Sequence, residues 1–262
     1  RALDNPDLAI IEPSATHYYQ PLWTLVGGGV AKREKSARPE ADLIPDAAKW
    51  IQAAAATLRP EENGVVTADG REITYDYLVM APGLSLRWDL IEGLEGRVGA
   101  DGICTNYEYD QCETTWQTIR SFDGGTAVFT MPPPPIKCAG APQKIMYMAD
   151  DAFRQQGVRS RTQVIYGAAT PGIFSVKKYA ETLNQVISRR GISTRYQQNL
   201  TAVRPDEREA VFTDGEGNQS VVGYDMLHVA PPQGPPRFVA ESPLAGEGGW
   251  IEADRDTLRH PR

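Results

Sequence analysis

Hydrophobic residues recur along the chain in two alternating rhythms. Residues 8–12 (LAIIE) form a short apolar run closed by an acid, and 74–83 (TYDYLVMAPG) a second run closed by Ala81, Pro82 and Gly83. Both predict buried strands. The pattern then starts over: 126–130 (TAVFT) predicts a strand, 142–156 a helix opened by Pro142, and 162–167 (TQVIYG) another strand. From 174 to 190, apolar residues at 176, 179, 180, 183, 186 and 187 make a helical stripe, and 109–122 predicts a polar-rich helix carrying Cys112. Alternating β and α elements point to an α/β protein built on parallel sheets.

An internal repeat sharpens the fold class. TLRPEENGVVTADG (57–70) resembles AVRPDEREAVFTDG (202–215) at a constant offset: Arg59-Pro60, Val66 and Asp69-Gly70 recur as Arg204-Pro205, Val211 and Asp214-Gly215. A few residues later YDYLVMAPG (75–83) recurs as YDMLHVAPP (224–232). Each copy reads as strand, turn, strand and a closing apolar strand, so a dinucleotide-binding unit occurs twice. The expected architecture is two Rossmann-like domains of the FAD/NAD(P)-binding type: a partial first domain over 1–105, an inserted second domain over 106–230, and a return segment over 231–262.

A first unit of this kind opens with G-x-G-x-x-G on a helix N-terminus, and the acid ending its second strand binds ribose hydroxyls. Glu12 stands at that second-strand end, although an acid there also serves as a turn or cap. The glycine motif is absent, and Gly27 to Gly29 follow the acid instead of preceding it. The sequence is therefore expected to begin inside a domain.

Composition narrows the function classes. With 262 residues and 41% hydrophobic content the chain can fold around ordinary cores. Its 27 basic and 34 acidic residues give a formal charge of −7 without a basic cluster, which argues against nucleic acid as a partner. Three cysteines (Cys104, Cys112, Cys138) and three scattered histidines show no metal-ligand spacing. No apolar run approaches the roughly 18 residues a membrane span needs.

The chemistry concentrates in 126–150 (TAVFTMPPPPIKCAGAPQKIMYMAD), where a strand runs into Pro132 to Pro135 and then into Cys138 and a helix. Proline neither donates to a ladder nor continues a helix, so the strand ends in a stiff extended bend. Ala139, Gly140 and Ala141 are small enough to let a ligand reach the backbone. A thiol before a helix N-terminus feels the positive end of the dipole, and Lys144 adds a cation, so both favour a thiolate. Cys138 is equally readable as a small buried apolar residue.

With that frame in place, several stretches resemble the sulfide:quinone oxidoreductase family, in particular its mitochondrial branch: IIEPSATHYYQPLWTLVGGG (10–29), YDYLVMAPGLSL (75–86), IKCAGAPQKIMYMAD (136–150), FSVKKYAETLNQVI (174–187) and YDMLHVAPPQGPP (224–236). The resemblance implies a peripheral membrane flavoenzyme of a bacterial or mitochondrial inner membrane. It oxidises hydrogen sulfide, passes electrons through FAD to a quinone, and hands sulfur to a small acceptor such as a thiol or sulfite. It places Glu12 on the ribose, Gln20 at the flavin, and Ala55 and Ala81 to Gly83 along the cofactor. It makes Cys138 one of two redox cysteines, the other expected after residue 262. Cys104, in an ICT setting, matches a third cysteine of some bacterial members that the mitochondrial branch generally lacks, and is read either as catalytic or as buried. The competing readings are a type II NADH dehydrogenase, a cytochrome-linked sulfide dehydrogenase, and a non-catalytic flavin-binding redox sensor. Against the nicotinamide reading, prolines and a cysteine stand where its glycine-rich phosphate loop belongs.

Overall fold

The computed structural model describes residues 6–261. In chain order its elements are β1 (Leu8–Ile11), β2 (Thr16–Tyr18), α1 (Trp23–Gly27), β3 (Ala37–Pro39), β4 (Ala48–Ile51), β5 (Ala55–Arg59), β6 (Gly64–Thr67), β7 (Glu72–Thr74), β8 (Ser85–Leu86), β9 (Ile103–Cys104), α2 (Cys112–Ser121), β10 (Gly125–Met131), α3 (Ala141–Gln155), β11 (Thr162–Ala168), α4 (Lys177–Arg190), β12 (Ser193–Tyr196), β13 (Asn199–Arg204), β14 (Glu209–Thr213), β15 (Gln219–Gly223), β16 (Met226–His228), β17 (Gln233–Gly234) and α5 (Arg237–Ala240). Two compact units result. One comprises residues up to 18, 37–85 and from 234 onward; the other comprises 19–36 and 86–233. The division falls at 85/86 and not at the expected 105/106, because Ile103 and Cys104 pair with Leu227 and His228 inside the second unit.

The second unit is a three-layer sandwich. Its parallel sheet runs β12-β11-β10-β16-β9, and strand side chains alternate between faces with period two. Ala127, Phe129, Met131, Tyr166 and Met226 face the helical side, where Ile145, Met146, Ala149 and Phe153 of α3 and Ile119 of α2 meet them. Val128, Ile165 and Leu227 face the other way onto Val203, Ala210 and Phe212 of the antiparallel β13-β14-β15 meander. Covering both faces explains why these strands are almost continuously apolar. The α4 stripe is shallower than its sequence pattern: Ile187 is buried, while Val176 and Tyr179 remain exposed.

Strand order reverses beside β10. From there the chain winds outward through α3, β11, α4 and β12, while β16 and β9 lie on the opposite side. In such sheets ligands occupy the crevice at the carboxyl ends of the strands flanking the reversal.

The first unit pairs β1 and β4 in parallel and carries its own antiparallel meander, β5-β6-β7. Here the internal repeat becomes visible as register. Ala55↔Thr67, Thr57↔Val66, Leu58↔Val65 and Arg59↔Gly64 correspond pair for pair to Leu200↔Phe212, Ala202↔Val211, Val203↔Ala210 and Arg204↔Glu209. Both first strands carry a register shift at the same place, between Ala55 and Thr57 and between Leu200 and Ala202. A bulge kept at one position in both copies marks a shared design.

The strand expected over 74–83 is corrected. Its counterpart β16 is hydrogen-bonded beside β10, but among the described residues 75–83 has no ladder partner. The alternation persists without the pairing: Leu78 and Met80 pack onto Leu58, Val65 and Leu244, whereas Tyr77 and Val79 are 84% and 90% exposed. The glycine run is likewise a packing feature. A Cβ on Gly28 would meet the Met148 side chain and one on Gly29, at φ 75°, the Trp116 ring, so the glycines let the end of α1 approach α2 and α3.

Candidate functional site

Cys138 lies on the segment between β10 and α3, outside the carboxyl end of the first strand at the reversal. The proline run ends the ladder at Met131, and Cys138 then takes φ 63°, a left-handed conformation uncommon for a residue with a Cβ. Its carbonyl accepts the Ala141 N–H at 3.0 Å, and Gly140 caps α3, with Pro142 in the first turn. Cys138 is the exposed cysteine of the three.

The other two are interior. Cys104 sits on β9, 0% exposed in the core, where burial pushes its thiol up to about 12. Cys112 opens α2, also fully buried, donates to the Tyr109 carbonyl at 3.2 Å, and is raised to about 11, first by burial. Such thiols pack as small apolar groups, without the thiolate character that reactivity demands.

Charged and polar groups around Cys138 come from several elements. Desolvation lowers the Lys137 amine, and the Cys138 sulfur pulls it the other way. Lys144 is exposed on the first turn of α3. Tyr107, three residues past the end of β9, is raised by burial and then by the Cys138 charge, and its hydroxyl finds no hydrogen-bond partner among the described residues. The Lys137 N–H donates to Gln233 Oε1 at 2.5 Å. Sequence reasoning missed Lys137, Tyr107 and Gln233. A signal existed only for Gln233, the one polar side chain in APPQGPP (230–236).

The cofactor candidates of the first unit lie at strand ends and loops. Glu12 follows β1; its Oε1 accepts the Ser14 N–H at 2.7 Å, and its own N–H donates to Ile51 O at 3.2 Å. The parallel pair β1-β4 thus ends with Glu12 beside the segment leading to Ala55, which is half-buried at the start of β5. Ala81, Pro82 and Gly83 are exposed, and a Cβ on Gly83, at φ 74°, would meet open space. A carboxylate at the carboxyl end of a parallel strand and backbone left bare by small residues fit the adenosine half of a dinucleotide. Gln20, by contrast, is exposed on a one-turn 3₁₀ helix, Gln20–Leu22, in the second unit.

No protein-family profile matches the chain. A mitochondrial sulfide:quinone oxidoreductase of Dictyostelium discoideum is 45% identical over 256 residues, covering 97% of this chain and 56% of that protein. The mitochondrial enzyme of Mus musculus is 43% identical over 264 residues, covering 100% of this chain and 59% of its own length. Over nearly its whole length the chain is similar to mitochondrial sulfide:quinone oxidoreductases. It spans a little over half the length of these relatives. The solved sulfide:quinone oxidoreductase of Aquifex aeolicus superposes with a TM-score of 0.83 at 20% identity, over 97% of this chain and 60% of that one. The superposition supports the fold class of two dinucleotide-binding domains. Among the described residues no helix is long and apolar enough to cross a membrane, and no group of acids, histidines and cysteines could hold a metal ion.

Proposed function

We propose that this chain is the sulfide-oxidising portion of a flavoenzyme that delivers electrons to a quinone, with Cys138 as a redox sulfur. The observation that carries the reading is the exposed Cys138 at φ 63°, set outside the strand reversal while both other cysteines are buried. Hydrosulfide attacks a disulfide between Cys138 and a second cysteine supplied outside these residues: one S–S bond breaks, another forms, and the products are a persulfide and a thiolate. The sulfide sulfur loses two electrons and the disulfide gains them. A thiol or sulfite then takes the outer sulfur, leaving two thiolates whose reoxidation to the disulfide releases the electron pair. FAD, when bound, supplies the two-electron acceptor, and a quinone takes the pair onward.

In this reading Glu12 binds the ribose hydroxyls, Ala55 and Ala81 to Gly83 give the cofactor access to bare backbone, and Gln20 contacts the flavin. Lys137 and Lys144 supply positive charge where anionic sulfur develops. Cys104 is assigned to packing, since a thiol with its acidity displaced to about 12 and no exposure cannot serve the exchange. The enzyme works at an inner-membrane surface, mitochondrial in keeping with its relatives. In the whole protein, sulfide-dependent reduction of a soluble quinone with a flavin spectrum is expected; a protein that binds FAD but reduces quinone only with NADH contradicts the reading.

A further inference from the structure

Two proline-rich segments leave neighbouring strands at the reversal. β10 exits through Pro132 to Pro135, and β16 exits through APPQGPP. At the last shared rung Thr130 bridges them, its hydroxyl donating to His228 O at 3.2 Å and accepting the Ala230 N–H at 3.1 Å. Past that point the four prolines offer no N–H, so the backbone cannot continue the ladder. The contact that reaches across farther out is the Gln233 carboxamide, whose Oε1 accepts the Lys137 N–H at 2.5 Å. The next residue is Cys138, held in a left-handed conformation that a side chain other than glycine adopts only when its surroundings fix it. On its far side the Cys138 carbonyl is held by the Ala141 N–H. The strained residue is thus pinned at both flanks, on one side by the start of α3 and on the other by Gln233.

We infer that Gln233 is a positioning residue for Cys138: its carboxamide oxygen fixes the Lys137 peptide, which keeps the thiol presented at the strand reversal in one orientation. The catalytic consequence rests on the proposed sulfur chemistry; the clamp itself does not. Sulfur exchange requires three sulfur atoms nearly in line, so an oriented Cys138 accelerates it by reducing the conformations to be searched.

The test attaches a nitroxide to Cys138 of the 262-residue chain through a thiosulfonate reagent, which the buried Cys104 and Cys112 do not meet. Gln233→Leu removes the acceptor, and Gln233→Glu retains an oxygen at the same reach. The expected spectra are motionally restricted for the parent chain and Gln233→Glu, and narrowed several-fold in correlation time for Gln233→Leu, with superimposable thermal melts. An unchanged spectrum in Gln233→Leu, or equal narrowing in both variants, overturns the clamp. A second arm follows flavin reduction by sulfide in the whole protein. Gln233→Leu is expected to slow it about tenfold, and Gln233→Glu to restore most of the rate. If the unsubstituted protein shows no reduction by sulfide, the sulfur chemistry fails while the spectra still decide the clamp.

Discussion

Asn106 Oδ1 lies 2.5 Å from His228 Nε2 in the interior of the second unit, and this contact ties the residues after β9 to β16. Asn106 also donates from Nδ2 to Thr24 Oγ1 at 3.1 Å, so α1 joins the same network. With Nε2 facing an oxygen acceptor, the neutral ring places its proton there. Burial lowers His228 to about 3, and no acid compensates. Because the folded value is below the unfolded one near 6.5, the unfolded chain binds the extra proton. Stability is complete above about pH 6.5 and declines as pH falls toward 3, by up to ~1.4 kcal/mol per unit. Melting temperatures measured across that window should fall with acid in the parent chain and lose most of that slope in His228→Gln. Equal slopes would show that His228 is not the titrating group.

Asp150 should behave as a separate acid-sensitive lock. Fully buried on α3, it meets Arg159 at 2.5 Å, Arg190 at 2.8 Å and Arg154 at 3.0 Å. Burial alone would raise its carboxyl, but the three guanidinium hydrogen bonds outweigh it and the net shift is downward. Arg159 also donates to Arg190 O and Gly191 O, so the cluster fastens the end of α4. Asp150→Asn leaves partly buried guanidiniums uncompensated, and the expected loss is about 3–5 kcal/mol in denaturant titration. A lowered carboxyl contributes stability above its unfolded value near 4 and loses it as pH falls further. The variant should therefore show a shallower stability loss than the parent below about pH 4 while keeping the His228 slope between about 6.5 and 3.

Thiol counting separates the cysteines. A neutral thiol reagent should modify one cysteine of the native chain at pH 7–8 and three after denaturation, and Cys138→Ser should abolish the native reaction. Rapid native modification of Cys104 or Cys112 would mean that the sheet core opens far more readily than its packing implies.

The repeat and the second unit's parallel sheet were legible in the sequence because each local pattern has one physical reading. Period-two strands fill both faces around Phe129 and Val128, and the shared bulges at Ala55 and Leu200 keep the two meanders in step. Residues 75–83 carry the same pattern as β16, but a strand needs a neighbour, and its sequence cannot announce whether one is present. The α4 stripe overstated burial because Val176 and Tyr179 precede the part of the helix that meets the sheet. Proline chemistry marked Cys138 as exceptional. The link from Gln233 to the neighbouring Lys137 peptide is not legible in the sequence, where Gln233 stands out only as the one polar side chain of its proline-rich run, because it crosses 96 positions (233 − 137) through a single side chain. The buried Tyr107 hydroxyl and the His228 network arise the same way, from tertiary placement alone.

The direct test of Cys138 as the redox sulfur is the absorbance of bound flavin in the whole protein after anaerobic addition of sulfide. The parent enzyme should bleach. Cys138→Ser should slow bleaching by at least about a thousandfold, because it removes the S–S bond that hydrosulfide attacks. Undiminished bleaching in a Cys138→Ser protein that retains its flavin would contradict the account.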